Sequence, residues 1–173
     1  IDEGISHILP LRYFPWISGS PPESYNYPPH QGLLDGGDGW MYTATIGGGI
    51  NGTGSIARVS RDGTWELLYS FGPKSGDTNP LQVVAGPSGR LYGVTYGRND
   101  SSSNAGSIFS INRNGSGFTT LMRFTSFQTQ GNAPSSALTL ASDGKLYGTT
   151  YTGGTFDSGV VFRINADGTG FEA

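Results

Sequence analysis

The sequence predicts an all-β fold, a β-propeller-like array of about three four-stranded antiparallel blades, and three observations carry that expectation. One phrase occurs three times, as "DGWMYTAT" at 38–45, "SGRLYGVT" at 88–95 and "DGKLYGTT" at 143–150, its turn glycines Gly39, Gly89 and Gly144 lying 50 and 55 residues apart. A second landmark, "GSIARV", "GSIFSI" and "GVVFRI", starts at Gly54, Gly106 and Gly159, and the turn pairs Asp62-Gly63, Asn114-Gly115 and Asp167-Gly168 keep its intervals of 52 and 53. Between the landmarks apolar residues alternate with polar ones, as they do when successive side chains of a pleated strand face opposite sides. Four such runs fill each period of about fifty residues, which is the strand content of one blade.

Taken in order, residues 1–14 contain "HILPLRYF", whose Phe14 lies 57 residues before Phe71, much as Phe71 lies 53 before Phe124. This run reads as a closing strand detached from its blade. Residues 15–28 are a Pro- and aromatic-rich loop; repeat 1 occupies 29–80, repeat 2 occupies 81–134 and repeat 3 occupies 135–173. In repeat 3, "LTLAS" precedes Asp143-Gly144, "KLYGTTY" follows, a Gly-rich loop leads to "GVVFRIN", and Asp167-Gly168 turns the chain again. Asp-Gly and Asn-Gly between such runs are hairpin signals, read here as tight turns whose two central residues both take positive φ. Repeat 2 finishes with "GFTTLMRF" at 117–124, whereas repeat 3 stops at "GTGFEA" and lacks its last strand. The leading strand is expected to complete the last blade, in its own chain or in a neighbour's, so a dimer or a head-to-tail assembly is expected. No amphipathic helix of convincing length is expected.

Composition narrows the function classes. Charged residues make up 13% of the 173 residues, the net charge is -3, and Lys occurs only at 74 and 145, so no basic stripe is available to follow a phosphate backbone. Nucleic acid is not an expected partner. With 29 Gly and 12% aromatics the chain reads as folded and turn-rich, since that many rings can bury enough apolar surface to offset chain entropy. The absence of Cys removes disulfides, thiolate metal sites and cysteine nucleophiles together. No apolar run reaches the length of a membrane span, and the chain opens at Ile1 without a signal-peptide pattern, as a processed or trimmed product would.

The search for catalytic constellations points away from an enzyme. His7 and His30 are the only histidines, and neither stands in a motif with Ser and Asp. Asp38, Asp62, Asp143 and Asp167 fall in the repeated turns, where an aspartate caps its own backbone. "SRDGTW" at 60–65 resembles the Asp-box hairpin of sialidase propellers but lacks the residue between Asp62 and Gly63. "LLDGGDGW" offers Asp35 and Asp38 without the alternating oxygen ligands of a calcium loop, and Gly47 to Gly49 lack the Lys-Ser/Thr of a phosphate loop. Expectation is therefore of no catalytic residue, no metal and no cofactor.

The stretch "LYGTTYTGGTFDSGVVFRINADGTGF", with P-x-x-x-L ahead of its Asp-Gly turn and "LMRF" or "LLYSF" closing the unit, resembles the GloVer tandem repeat of secreted bacterial proteins over approximately 29–173. The third copy is nearest to that pattern. The first departs most, with Thr43 where the others have Gly93 and Gly148, and Ala57 where they have Phe109 and Phe162. The resemblance implies an extracellular or cell-surface propeller-like array and brings no catalytic residues. N-x-S/T sequons at Asn51, Asn99 and Asn114 lie in expected loops or turns, where glycosylation would not open the core.

Two functions follow as expectations. The first is a binding module with glycans as the favoured ligand, because aromatic faces stack on sugar rings while polar groups orient hydroxyls. Its ligand-binding candidates are Trp16, Tyr25 and Tyr27 of the leading loop, with Trp40 and Trp65. The repeated Tyr42, Tyr92 and Tyr147 are expected in the core. The second is a structural subunit joined to its neighbours by exchange of the N-terminal strand.

Overall fold

The computed structural model describes residues 32–72, 77–97, 105–125 and 127–173. The expected closing strand 1–14, the loop 15–28 with Trp16, Tyr25 and Tyr27, both histidines and Asn99 lie outside the described residues.

The described residues form three antiparallel blades. Blade 1 runs β1 (Leu34–Asp35), β2 (Trp40–Thr45), β3 (Ser55–Ser60) and β4 (Trp65–Ser70). Blade 2 runs β5 (Pro80–Ala85), β6 (Arg90–Thr95), β7 (Ser107–Asn112) and β8 (Thr119–Arg123). A four-residue helix, α1 (Phe127–Gln130), links it to blade 3. There β9 (Asn132–Pro134) and β10 (Thr139–Leu140) both pair with β11 (Leu146–Thr152), followed by β12 (Val161–Ile164). β9 and β10 are one first strand broken by a bulge, matching the register shift between Pro80 and Val83 in β5. In the fourth position of blade 3 a single rung pairs Glu172 with Arg163.

The turns differ from the tight form read in the sequence. Ser60 N–H donates to Thr64 O and Gly63 N–H to Ser60 O, and the same pair of bonds recurs at Asn112/Ser116 and Asn165/Thr169. Only the glycine of each pair takes positive φ (Gly63 85°, Gly115 84°, Gly168 89°), so these are three-residue hairpin loops ending in one left-handed glycine. The preceding Asp or Asn stays at negative φ and instead uses its side chain, Asp62 accepting from Thr64 N–H and Asp167 from Thr169 N–H.

Equivalent residues line up across all four strands of each blade. The register joins Leu34, Tyr42, Arg58 and Glu66 in blade 1, Val84, Tyr92, Ser110 and Thr119 in blade 2, and Thr139, Tyr147, Arg163 and Glu172 in blade 3. Period-two alternation then gives each blade two apolar faces. Tyr42, Ile56 and Phe71 of blade 1 meet Val83, Leu91, Phe109 and Ile111 of blade 2; the other side of blade 2, with Tyr92, Val94, Ile108 and Phe124, meets Leu138, Leu146, Phe162 and Ile164 of blade 3.

Both joints contain the same three rings. Phe71, just after β4, meets Phe109 and Phe118 of the next blade at centroid separations of 5.4 and 5.6 Å; Phe124, just after β8, meets Phe162 and Phe171 at 5.4 and 6.1 Å. Phe71 and Phe124 are tied down identically, their N–H groups donating to Gly54 O and Gly106 O at 3.0 Å. The inner ring of each triad lies over a glycine: a Cβ on Gly93 would come within 2.5 Å of Phe109, and one on Gly148 within 2.4 Å of Phe162. Those glycines are the cross-strand partners of these phenylalanines, and in blade 1 the same pair is Thr43 and Ala57. The departures of the first copy are thus one compensated exchange of a large–small pair, and blade 1 keeps the regular register there.

Replacing Phe109 by Ala should cost about 3–5 kcal/mol in urea unfolding, and Gly93→Ala roughly 1–3 kcal/mol through overpacking. Because the two side chains share one space, the double variant should lose less than the sum; strict additivity would refute the pairing.

Candidate binding face

At the rim of the first joint the apolar contact gives way to a polar lock. The β1–β2 turn sets Asp38 so that its Oδ1 accepts from Trp40 N–H (3.2 Å) and its Oδ2 from Tyr42 Oη–H (2.7 Å). Arg113, in the β7–β8 turn of blade 2, crosses the joint: its Nη1 donates to Gly36 O (2.6 Å) and Asp38 Oδ2 (3.0 Å), and its guanidinium carbon stands 5.8 Å from the Tyr42 ring centroid. Arg58 answers from blade 1, with Nη1 donating to Arg113 O (3.4 Å), its Nε and Nη2 held by Glu66, and its guanidinium over the Trp40 ring at 4.2 Å. Partial burial pushes the Asp38 carboxyl up, but the hydrogen bonds from Tyr42, Arg113 and Trp40 outweigh it and hold it below its ordinary value. Burial, then the bond to Asp38, raises the Tyr42 phenol.

Blade 3 carries the same residues on its outward face. Asp143 Oδ1 accepts from Lys145 N–H (3.0 Å) and Oδ2 from Tyr147 Oη–H (2.8 Å), while Arg163 Nε and Nη2 donate to Glu172 Oε2 at 3.0 and 2.6 Å. The Lys145 N–H and then the Tyr147 hydroxyl lower the Asp143 carboxyl, and Arg163 lowers that of Glu172. Alternation puts Tyr147, Thr149 and Tyr151 of β11 and Val161 and Arg163 of β12 on this face, with Val161 69% and Tyr151 70% exposed. Tyr147, Val161, Phe162, Arg163, Glu172 and Ala173 line an open depression of about 200 Å³.

The expectation of three core tyrosines holds for Tyr42 (0% exposed) and Tyr92 (3%), but Tyr147 is half-buried. Among the described residues no blade covers it. The glycine beside the ring also differs: the Tyr42 and Tyr92 rings occupy the space that a Cβ on Gly36 or Gly86 would need, and blade 3 has Ala141 at this position.

The two described ligand candidates face apart. Trp40 packs on the first joint under Arg58, whereas Trp65 pairs with Val59 on the opposite face of blade 1, half-buried with its Nε1–H buried and unpaired. Asn51 donates its Nδ2–H to Phe71 O, and Asn114 Oδ1 accepts from Ser116 N–H and Oγ–H, so the first side chain is engaged in the joint's loop and the second in its own turn. Sequence reading missed the Asp38–Arg113 lock, although an arginine ahead of the Asn-Gly turn was visible. It also missed Asp77, 1% exposed, which accepts from Ser107 Oγ, Thr120 Oγ1 and both Nη of Arg123. Among the described residues no group of His, Cys, Asp and Glu could hold a metal ion, and no helix is long and apolar enough to cross a membrane.

Equivalent four-stranded sheets wedged face to face, each repeating the same ring triad, define a β-propeller-like repeat protein. A family model described as the Gloeobacter/Verrucomicrobia repeat matches residues 17–173, and the chain belongs to that family. Among solved structures it is similar to a β-propeller-like chain in one titled "Crystal structure of Nidogen/Laminin Complex", at 15% identity and a TM-score of 0.53. The likeness covers 81% of this chain and 45% of that one, so this chain spans less than half of its length. No curated protein sequence matches the chain.

Arg113→Ala should destabilise the array by roughly 1–2 kcal/mol, through the lost carboxylate and carbonyl bonds. A depressed folded-state pKa makes the Asp38 contribution complete above about 4 and lost as pH falls through the folded value. In the variant, NMR titration should show the Asp38 pKa rising toward its unfolded value, and the acid loss of stability that Asp38 contributes should become smaller and end at higher pH. An unchanged Asp38 titration would remove Arg113 from the lock.

Proposed function

We propose that the chain is a non-enzymatic, extracellular binding module that holds a protein partner on the outward face of blade 3. One observation carries this: the Tyr147–Arg163–Glu172 row repeats the Tyr42–Arg58–Glu66 row of blade 1, but the tyrosine that a neighbouring sheet buries completely in the first joint is only half-buried on blade 3. A face that repeats a sheet-binding surface in chemistry and register is suited to a sheet-like protein surface. Its depression of about 200 Å³ falls below the roughly 300 Å³ at which small-molecule pockets begin, and it is open rather than enclosing. The chain it resembles in fold comes from a structure titled as a complex of two proteins. The extracellular setting is the one the repeat family implied from sequence.

A glycan reading keeps one support, the rings of Tyr147 and Tyr151 beside Arg163, Glu172 and the Thr149 hydroxyl on one face. Probing glycan and protein arrays with the wild type, Val161→Asp and Trp40→Ala separates the two. Expected is a protein signal that falls at least roughly tenfold in Val161→Asp and survives Trp40→Ala, because a charge in the centre of an apolar contact is left unpaired. A glycan signal indifferent to Val161→Asp would overturn the proposal.

A further inference from the structure

Resting on that reading, we infer that the partner is a further blade of this same repeat, and specifically one with an arginine at the position of Arg113. The first argument is continuity. Blade 3 presents Asp143, Tyr147, Arg163 and Glu172 where blade 1 presents Asp38, Tyr42, Arg58 and Glu66, with the same hydrogen bonds to the same atoms. In blade 1 that set receives a neighbouring sheet and the Arg113 turn.

The second argument comes from comparing the two joints. In the first, Asp38 faces Arg113; in the second, the equivalent positions are Ser88 and Ala166. Aspartate and arginine are both present or both absent, as expected when a carboxylate at the rim of a joint is matched to a cation across it. Asp143 has no cation reaching it from another blade among the described residues: its hydrogen bonds come from Lys145 N–H and the Tyr147 hydroxyl, and the cations near it, Lys145 and Arg163, belong to its own blade. Charge and register together therefore specify an arginine-bearing blade rather than a copy of the blade 2–blade 3 joint.

Among the described residues, a second copy of the chain offers only part of the matching surface, and that part is covered. The far face of blade 1 carries Arg61 at the position of Arg113 and Trp65 at that of Phe118, but its Thr43, Ala57 and Val59 are already buried, and Ala57 stands where Phe109 and Phe162 supply the inner ring of the two joints. The occupant must bring two rings, at the positions of Phe109 and Phe118, as well as the arginine.

The register supplies the test. Glu172 is equivalent to Glu66, so a copy of residues 68–125 fused after Ala173 continues blade 3 with a closing strand and its Phe71 ring, then adds a copy of blade 2. Amide exchange of β11 and β12 is measured in the natural chain, in the fusion, in the fusion with the added Arg113 copy changed to Ala, in the fusion with Asp143→Asn, and in the double variant. Expected is roughly tenfold or greater slowing of exchange around Tyr147 and Val161 in the fusion, and about fivefold of that lost with either single change and no more with both. Slowing that is indifferent to both changes overturns the arginine inference while leaving the docking face standing. Exchange unchanged by a folded added blade overturns both. Sedimentation showing that the natural chain already dimerises through this face, abolished by Val161→Asp, assigns the face to a second copy and overturns the inference.

Discussion

The contact on which the array depends is a ring from one blade lodged against two rings of the next. Phe71 and Phe124 close their own blades, yet each meets two rings of the following one, Phe71 in addition to Tyr69 of its own blade. A four-stranded meander has two faces to cover and no interior of its own, so an isolated blade would leave a whole apolar side in water. The triad removes that exposure twice, at nearly the same geometry, with interplanar angles of 68° and 64° for the equivalent first pairs. Glycine opposite each inner ring is part of the same device, because the ring occupies the space a Cβ would need.

Around this apolar centre the joints differ in their polar rims, and the difference distinguishes one joint from another. Joint one carries Arg113 across to Asp38 and Gly36. Joint two has Ala166 in the place of Arg113, while the buried Asp77, which gathers Arg123, Ser107 and Thr120, lies by register on the Phe109 face of blade 2 and so adds to the polar contacts of joint one. Hydrophobic contact alone is permissive about which blade meets which, since all the cores are alike in size and composition. Charged pairs at the rim penalise the wrong neighbour by leaving a carboxylate or guanidinium without its partner. The outward face of blade 3 has the charged kind of rim, which is why it reads as specific rather than merely apolar.

Much of the fold was legible because β-structure announces itself through turns. Asp-Gly and Asn-Gly recur at fixed intervals, strands alternate between them, and the register follows from both. Turn type was misread: the dipeptide permits two positive φ values, but the strands are spaced for three-residue loops, so the Asp or Asn stays right-handed and only the glycine crosses over. Of the candidate ligand residues, Trp40 and Trp65 share a blade but not a face, something a two-residue period reveals only once the pairing across β3 is known. Arg113 was one arginine among eight until the joint set it beside Asp38, 75 residues away in sequence.

The sequence by itself determined the repeat and its strand count, because both rest on local spacing; the departures at Thr43 and Ala57 were visible there, but only the pairing of β2 with β3 showed them to be one compensated exchange. Only the tertiary structure decided which tyrosine is core and which is surface. Tyr42, Tyr92 and Tyr147 occupy the same place in three nearly identical phrases, and their burial differs because burial belongs to the neighbouring sheet, not to the strand that carries the ring.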